Sequence, residues 1–125
     1  MLCSRSFLSV ADNSGAKIVR CLKVIETRSS FGRKHFATIG DVILVSIRFC
    51  APHKKVKKGS IYRGLIIRTN RYFKREVGFL NLMQNSIILF DKKMQPLGTR
   101  IFGPVAKESH FKRFNKLITF IKLEI

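Results

Sequence analysis

A chain of 125 residues with 46 % hydrophobic residues and eleven Phe carries enough apolar material for one core, which excludes a disordered chain. Its 25 Lys and Arg against 7 Asp and Glu leave a formal charge of +18 and a pI near 10.7, so the surface calls for a polyanionic partner: RNA, DNA or an anionic membrane. No apolar run reaches the length of a helical membrane span.

Globular sequence begins by about Phe7, which leaves no room for a cleaved secretory signal or a long presequence. On that reading a protein working in an organelle would be made there, or would have a presequence that this sequence does not include. Cys3, Cys21 and Cys50 are odd in number and widely spaced, which argues against a disulfide framework and for a reducing compartment.

Phe7 to Val10 reads as a short first strand, and Ala11-Asp12-Asn13-Ser14-Gly15 as a turn in which Asp and Asn bond their own backbone. Lys17 to Glu26 alternates, with Ile18, Leu22, Val24 and Arg20 on one face and Val19, Cys21, Lys23 and Ile25 on the other. Apolar residues on both faces predict a strand covered on both sides, as in a small closed barrel. Arg28 to Thr38 reads as a basic loop. Gly40-Asp41 turns the chain into the strongest strand, Val42 to Phe49, whose Ile43, Val45, Ile47 and Phe49 form one apolar face; Ala51-Pro52 ends it.

Four lysines, Lys54, Lys55, Lys57 and Lys58, then fall within five residues and are broken by Gly59. A strand follows, with Ile61, Arg63, Leu65 and Ile67 on one face and Tyr62, Ile66 and Arg68 on the other. From Lys54 to Arg75 there are nine Lys or Arg and no Asp or Glu, a density that repels itself unless a polyanion lies against it. The bland alternative is a solvated lysine-rich loop. Asn70 to Gly78 is a second basic loop with Arg71, Lys74 and Arg75, and Ser86 to Phe90 a further strand. Five or six strands at hairpin-like spacing favour a small barrel over a sandwich. After the Asp91 to Gly98 turn and a compact Gly98 to Val105 loop, the period changes. Phe111, Phe114, Leu117, Ile118 and Ile121 predict an amphipathic helix, N-capped by Ser109, with Leu123 to Ile125 as an extended tail. Neither an internal repeat nor a second domain is visible, so 1–125 reads as a single domain, barrel about 6–105 and helical portion about 106–125.

Catalysis finds no footing. Cys50 and His53 have the spacing of half a metal site, but no second Cys/His pair follows. His35, His53 and His110 stand in basic surroundings without an orienting carboxylate, and Asp12 and Asp41 stand beside turns. A nucleotide-type glycine loop is absent, and neither cofactor nor metal is expected. Nucleic-acid binding uses what is there: cations in loops, with Phe31, Phe36, Tyr72 and Phe73 among them as candidates for stacking on unpaired bases. Packing at the core edge is their plainer use. Membrane-surface binding through the C-terminal helix is the rival use of the charge.

Several segments, in order, resemble one family. They are Val10 to Ala16, Gly40-Asp41, Lys55-Val56-Lys57-Lys58-Gly59, Ile67-Arg68-Thr69 and Gly98 to Val105. From about Phe7 onward the chain resembles the universal large-subunit ribosomal protein L-fourteen. The resemblance implies a mainly β fold, a small five-stranded β-barrel with a short C-terminal helical portion. It also implies large-subunit rRNA and neighbouring large-subunit ribosomal proteins as partners, small-subunit rRNA across an inter-subunit bridge, and a ribosome-silencing factor. Carried over by position, RNA contact falls on Lys54, Lys55, Lys57, Lys58, Arg68 and Arg100. Arg33, Lys34, Arg71, Lys74 and Arg75 are added from the basic loops, and Arg100, Lys107, Lys112 and Arg113 are assigned to the inter-subunit or partner surface. The loop from Thr69 to Asn85 is slightly shorter than in bacterial members, and Leu82 stands where an aromatic is expected. The bias toward Phe, Ile and Lys resembles an AT-rich organellar genome, hence a mitochondrial ribosome, with plastid or bacterial cytoplasm as alternatives.

Overall fold

The computed structural model describes residues 2–26, 36–109 and 115–125. Nine strands run in chain order: β1 (Leu2–Cys3), β2 (Phe7–Val10), β3 (Ala16–Glu26), β4 (Phe36–Ala37), β5 (Val42–Cys50), β6 (Ile61–Arg68), β7 (Phe73–Arg75), β8 (Gly78–Leu80) and β9 (Ser86–Phe90). Five of them close a barrel in the order β2-β3-β5-β6-β9, sealed by the parallel pairing of β2 with β9. At that seam the Ser9 hydroxyl lies 2.7 Å from the Ser86 hydroxyl and donates to the Asn85 carbonyl at 2.9 Å, which reinforces a short ladder. Closure leaves the barrel itself without an open edge.

The barrel interior holds Leu8, Val19, Cys21, Ile43, Val45, Ile47, Ile66, Ile87 and Leu89, all 2 % exposed or less. A second cluster lies outside the wall, where Leu65, Ile67, Ile88 and Phe90 meet Ile101, Val105 and Leu117. Strand β6 is therefore buried on both faces at its second half, which explains its unbroken Leu65-Ile66-Ile67 run. Gly64 lets Ile87 pack close, because a Cβ there would come within 2.7 Å of the end of that side chain and make it shift.

Four sequence expectations need correction. The register of β3 against β5 shifts between Cys21 and Lys23, so Val24 turns inward with Val19 and Cys21 while Ile18 and Leu22 stay outside. Simple alternation cannot see such a bulge. Phe49 leaves the apolar face of Ile43, Val45 and Ile47 and is 59 % exposed. The Asn70 to Gly78 loop contains the start of a two-stranded hairpin, β7–β8, paired from Phe73↔Leu80 to Arg75↔Gly78.

The fourth concerns the C-terminus. An amphipathic helical portion is not found: the described residues contain a 3-10 turn at Lys107–Ser109 and one helical turn, α1 (Asn115–Ile118). Ser109 is the last residue of the 3-10 turn, and its hydroxyl donates to the Ala106 carbonyl. Phe111 and Phe114 lie outside the described residues. The chain ends extended: the Val105 amide donates to the Leu123 carbonyl, and the Val105 carbonyl accepts the Ile125 amide, each at 2.9 Å. Leu117 is buried in the outer cluster. Of the apolar stripe, Leu117 on α1 reaches the outer cluster and Ile121 packs against it. No helix among the described residues is long and apolar enough to cross a membrane.

Candidate nucleic-acid interface

The loop joining β5 to β6 is organised by one apolar residue. Val56 is buried in the barrel core, while Lys54, Lys55, Lys57 and Lys58 on either side of it are exposed. The plug fixes where the charges stand. Gly59, at φ +84°, turns the chain back and donates its amide to the Ile47 carbonyl at 2.9 Å. Lys58 is placed with its Nζ 5.9 Å from the centre of the Phe49 ring.

The lysine loop abuts the Asp12 turn. Ala51 donates to the Gly15 carbonyl at 2.8 Å, and a Cβ on Gly15 would collide with the stem of Lys54. Asp12 is buried; one carboxylate oxygen accepts the Ser14 amide at 3.0 Å and the Ser14 hydroxyl, the other the Leu89 amide at 2.9 Å. Asp41 likewise accepts the Thr38 amide at 2.8 Å. Both carboxylates hold backbone, as their turn positions imply.

The same turn grips the loop from Gly98 to Val105. Asn13 accepts the Thr99 amide at 2.8 Å and donates to the Thr99 hydroxyl at 3.0 Å, and Phe102 donates to the Ala11 carbonyl at 2.7 Å. Gly98 leaves no room for a side chain, since a Cβ would sit 2.8 Å from Asp12 and Asn13. Arg100 emerges exposed from this loop, 5.6 Å from the Phe102 ring centre. Lys54 and Arg100 thus stand on two loops that share the Asn13 to Gly15 turn.

Not every cation stays on the surface. Arg68 is 7 % exposed, and its Nη1 donates to the carbonyls of Phe102 at 2.9 Å and Pro104 at 3.2 Å. Burial lowers its pKa from the ordinary arginine value. It ties β6 to the Gly98 to Val105 loop, an internal role that the reading of Arg68 as an RNA contact did not anticipate. Arg75 is also engaged within the chain: Nε donates to Glu108 at 2.5 Å, and Nη2 donates to Glu108 at 2.7 Å and to the Ile125 carbonyl at 2.8 Å. The paired carboxylate raises its pKa. It clasps the β7–β8 hairpin to the chain end, a role invisible in a run of basic letters.

Arg71, Lys74 and Lys107 are exposed. Arg33, Lys34, Lys112 and Arg113 lie outside the described residues, as do His35, His110 and Phe31. Of the other loop aromatics, Tyr72 meets Phe79 edge-on at 6.2 Å and Phe36 belongs to β4. Cys50 ends β5 packed against the core. Among the described residues no cluster of His, Cys, Asp and Glu could hold a metal ion.

The barrel, the locked Asp12 turn and the cationic loops agree with a comparison over nearly the whole length. Residues 1–122 match the family model described as ribosomal protein L14p/L23e. Members of that family bind large-subunit rRNA and sit among other ribosomal proteins. The chain belongs to the L14p/L23e family of ribosomal proteins and is a structural constituent of the large ribosomal subunit, not an enzyme.

Proposed function

We propose that the chain holds large-subunit rRNA chiefly through Lys54, Lys55, Lys57 and Lys58, with Arg100 on the neighbouring loop and Arg71 and Lys74 at the hairpin. The observation that carries this is the Val56 plug: burying one residue of the loop in the core holds four lysines outward at one end of the barrel. Held cations lose less entropy on meeting phosphates than a free basic tail would. Arg33 and Lys34 join this set on charge alone.

The loop bearing Arg100, with Lys107, Lys112 and Arg113 beyond it, is the surface we assign to the small-subunit bridge and to a ribosome-silencing factor. Its support is the rigidity that Asn13 and Arg68 give the loop. We read the whole chain as a single domain, and the Phe-rich composition as that of a mitochondrial ribosome.

Fractionation of native lysate on a salt-washed density gradient tests the assignment. Co-migration with the large subunit is expected, and in a purified mitochondrial lysate if the compartment is right. Release to the top fractions at modest salt would instead indicate a free RNA-binding module.

A further inference from the structure

The outer wall of β2, β3, β5 and β6 carries an alternation that the core does not explain. Backbone pairing aligns Phe7, Arg20, Ser46 and Ile61 in one row across four strands. Phe7 is 61 % and Ile61 55 % exposed, while Leu8, Val19, Val45 and Ile47 beside them are buried. Alongside runs the pair Ile18↔Phe49, and on the other side Lys23, Leu44 and Arg63. Strands β2, β5 and β6 contain no Asp or Glu, and β3 has only Glu26 at its end. Arg48, in the bulge next to Phe49, has its Nε buried without a hydrogen-bond partner.

We propose that this wall is a platform for unpaired RNA nucleotides, whose bases stack on Phe7 and Phe49 while Arg20, Arg48 and Arg63 meet their phosphates. The proposal rests on the RNA-binding reading of the lysine loop and extends it to a second surface with a different mode of contact. Three observations select this occupant. The wall carries Arg20, Lys23, Arg48 and Arg63 against the single carboxylate Glu26 at the end of β3, so its charge complements a polyanion. Its apolar residues alternate with arginines, whereas the centre of a protein interface is depleted of charge. It is continuous with the lysine loop, because Lys58 lies over the Phe49 ring. A strand of RNA following the lysines would pass over that ring. Only unpaired bases offer it a face, since bases in a duplex are stacked on one another.

The test is titration of the full chain with a labelled short oligouridine and with an RNA duplex of equal length. The single strand is expected to bind more tightly. Phe7→Ala and Phe49→Ala should each weaken single-strand binding about ten-fold without altering its salt slope. Phe49→Leu, which keeps apolar bulk without the ring and guards against a folding defect, should lose most of that affinity too. Equal binding of duplex, or single-strand affinity unchanged in the Phe7 and Phe49 variants, overturns the proposal. Self-association or capture by phosphatidylserine vesicles that these variants abolish, with RNA binding intact, overturns it in favour of a second copy or a membrane. Failure here with native co-migration on the gradient would remove the stacking platform and leave the ribosomal assignment standing.

Discussion

Arg68 brings a positive charge under a loop, where water cannot solvate it and two carbonyls must. Replacing it with Met keeps the apolar stem but leaves the Phe102 and Pro104 carbonyls short of a donor. Arg68→Met should therefore lower unfolding free energy by about 2 kcal/mol, read as an earlier urea midpoint. The salt slope of RNA binding should not change, because the residue is not at the surface; a flatter slope would return it to the RNA set. The loop partner is equally constrained. Gly103 has φ +81°, and a Cβ there would strike the Arg68 guanidinium, so Gly103→Ala should cost about 1–3 kcal/mol. Cys21 gives a pH signature of known sign. Burial first, then Cys3, raises its thiol pKa, so the folded state disfavours the thiolate. Its contribution is complete below the ordinary thiol range. It fades as pH climbs through that range toward the raised folded value, because the unfolded chain ionises first. Alkaline melts should show this loss in the native chain and less of it in Cys21→Ala.

The lysine loop separates two kinds of residue that sequence alone runs together. Val56→Ala removes buried volume from the barrel and should cost about 1–2.5 kcal/mol of stability. At about 0.15 M salt, where screening hides their mutual repulsion, replacing Lys54, Lys55, Lys57 and Lys58 by Gln should leave stability within about 0.5 kcal/mol, as exposed positions do. It should flatten the slope of log affinity against log salt by about three to four units, roughly 0.9 for each phosphate no longer neutralised. An unchanged slope would strike the loop from the interface. The strands of the barrel were legible because alternation and turn residues agree: β2, β5, β6 and β9 fall where the apolar pattern put them. Legibility failed where register, not composition, decides. The β3 bulge re-aims Val24, and the outer Phe49 reads like its inward neighbours until pairing is known. At the C-terminus, Leu117 meets the wall from the short α1, and apolar spacing alone did not show that the chain beyond it returns to pair with Val105. At the site, the lysines were readable as charge, whereas Arg68 and Arg75 were not readable as internal ties. Their partners, Phe102, Pro104 and Glu108, are more than thirty residues away along the chain.

At the scale of the whole molecule, a charge of +18 on 125 residues opposes the compact state, because folding brings like charges together. Internal pairing, such as that of Arg75 with Glu108 at 2.5 Å, offsets only part of it, because 25 cations face 7 acids. Four of those charges fall within five residues on the lysine loop, where the proposed RNA contacts stand. Screening should therefore help the free protein and harm its complex. Raising salt from a few millimolar to about 0.15 M shortens the Debye length from tens of ångströms to about 8 Å, comparable with the spacing of surface charges. The thermal midpoint of the isolated chain should rise over that range, while affinity for RNA falls. A polyanion without bases, such as polyphosphate, should also raise the midpoint at low salt, since ligand that binds only the folded state stabilises it by mass action. Circular-dichroism melts across the salt series check both effects. A midpoint indifferent to salt and to polyphosphate would mean that the cations are already far enough apart not to matter, and that RNA is not needed to relieve them. The variant with Lys54, Lys55, Lys57 and Lys58 neutralised locates the effect: if its midpoint no longer responds to salt, the strain of the free protein resides in the loop that RNA would occupy.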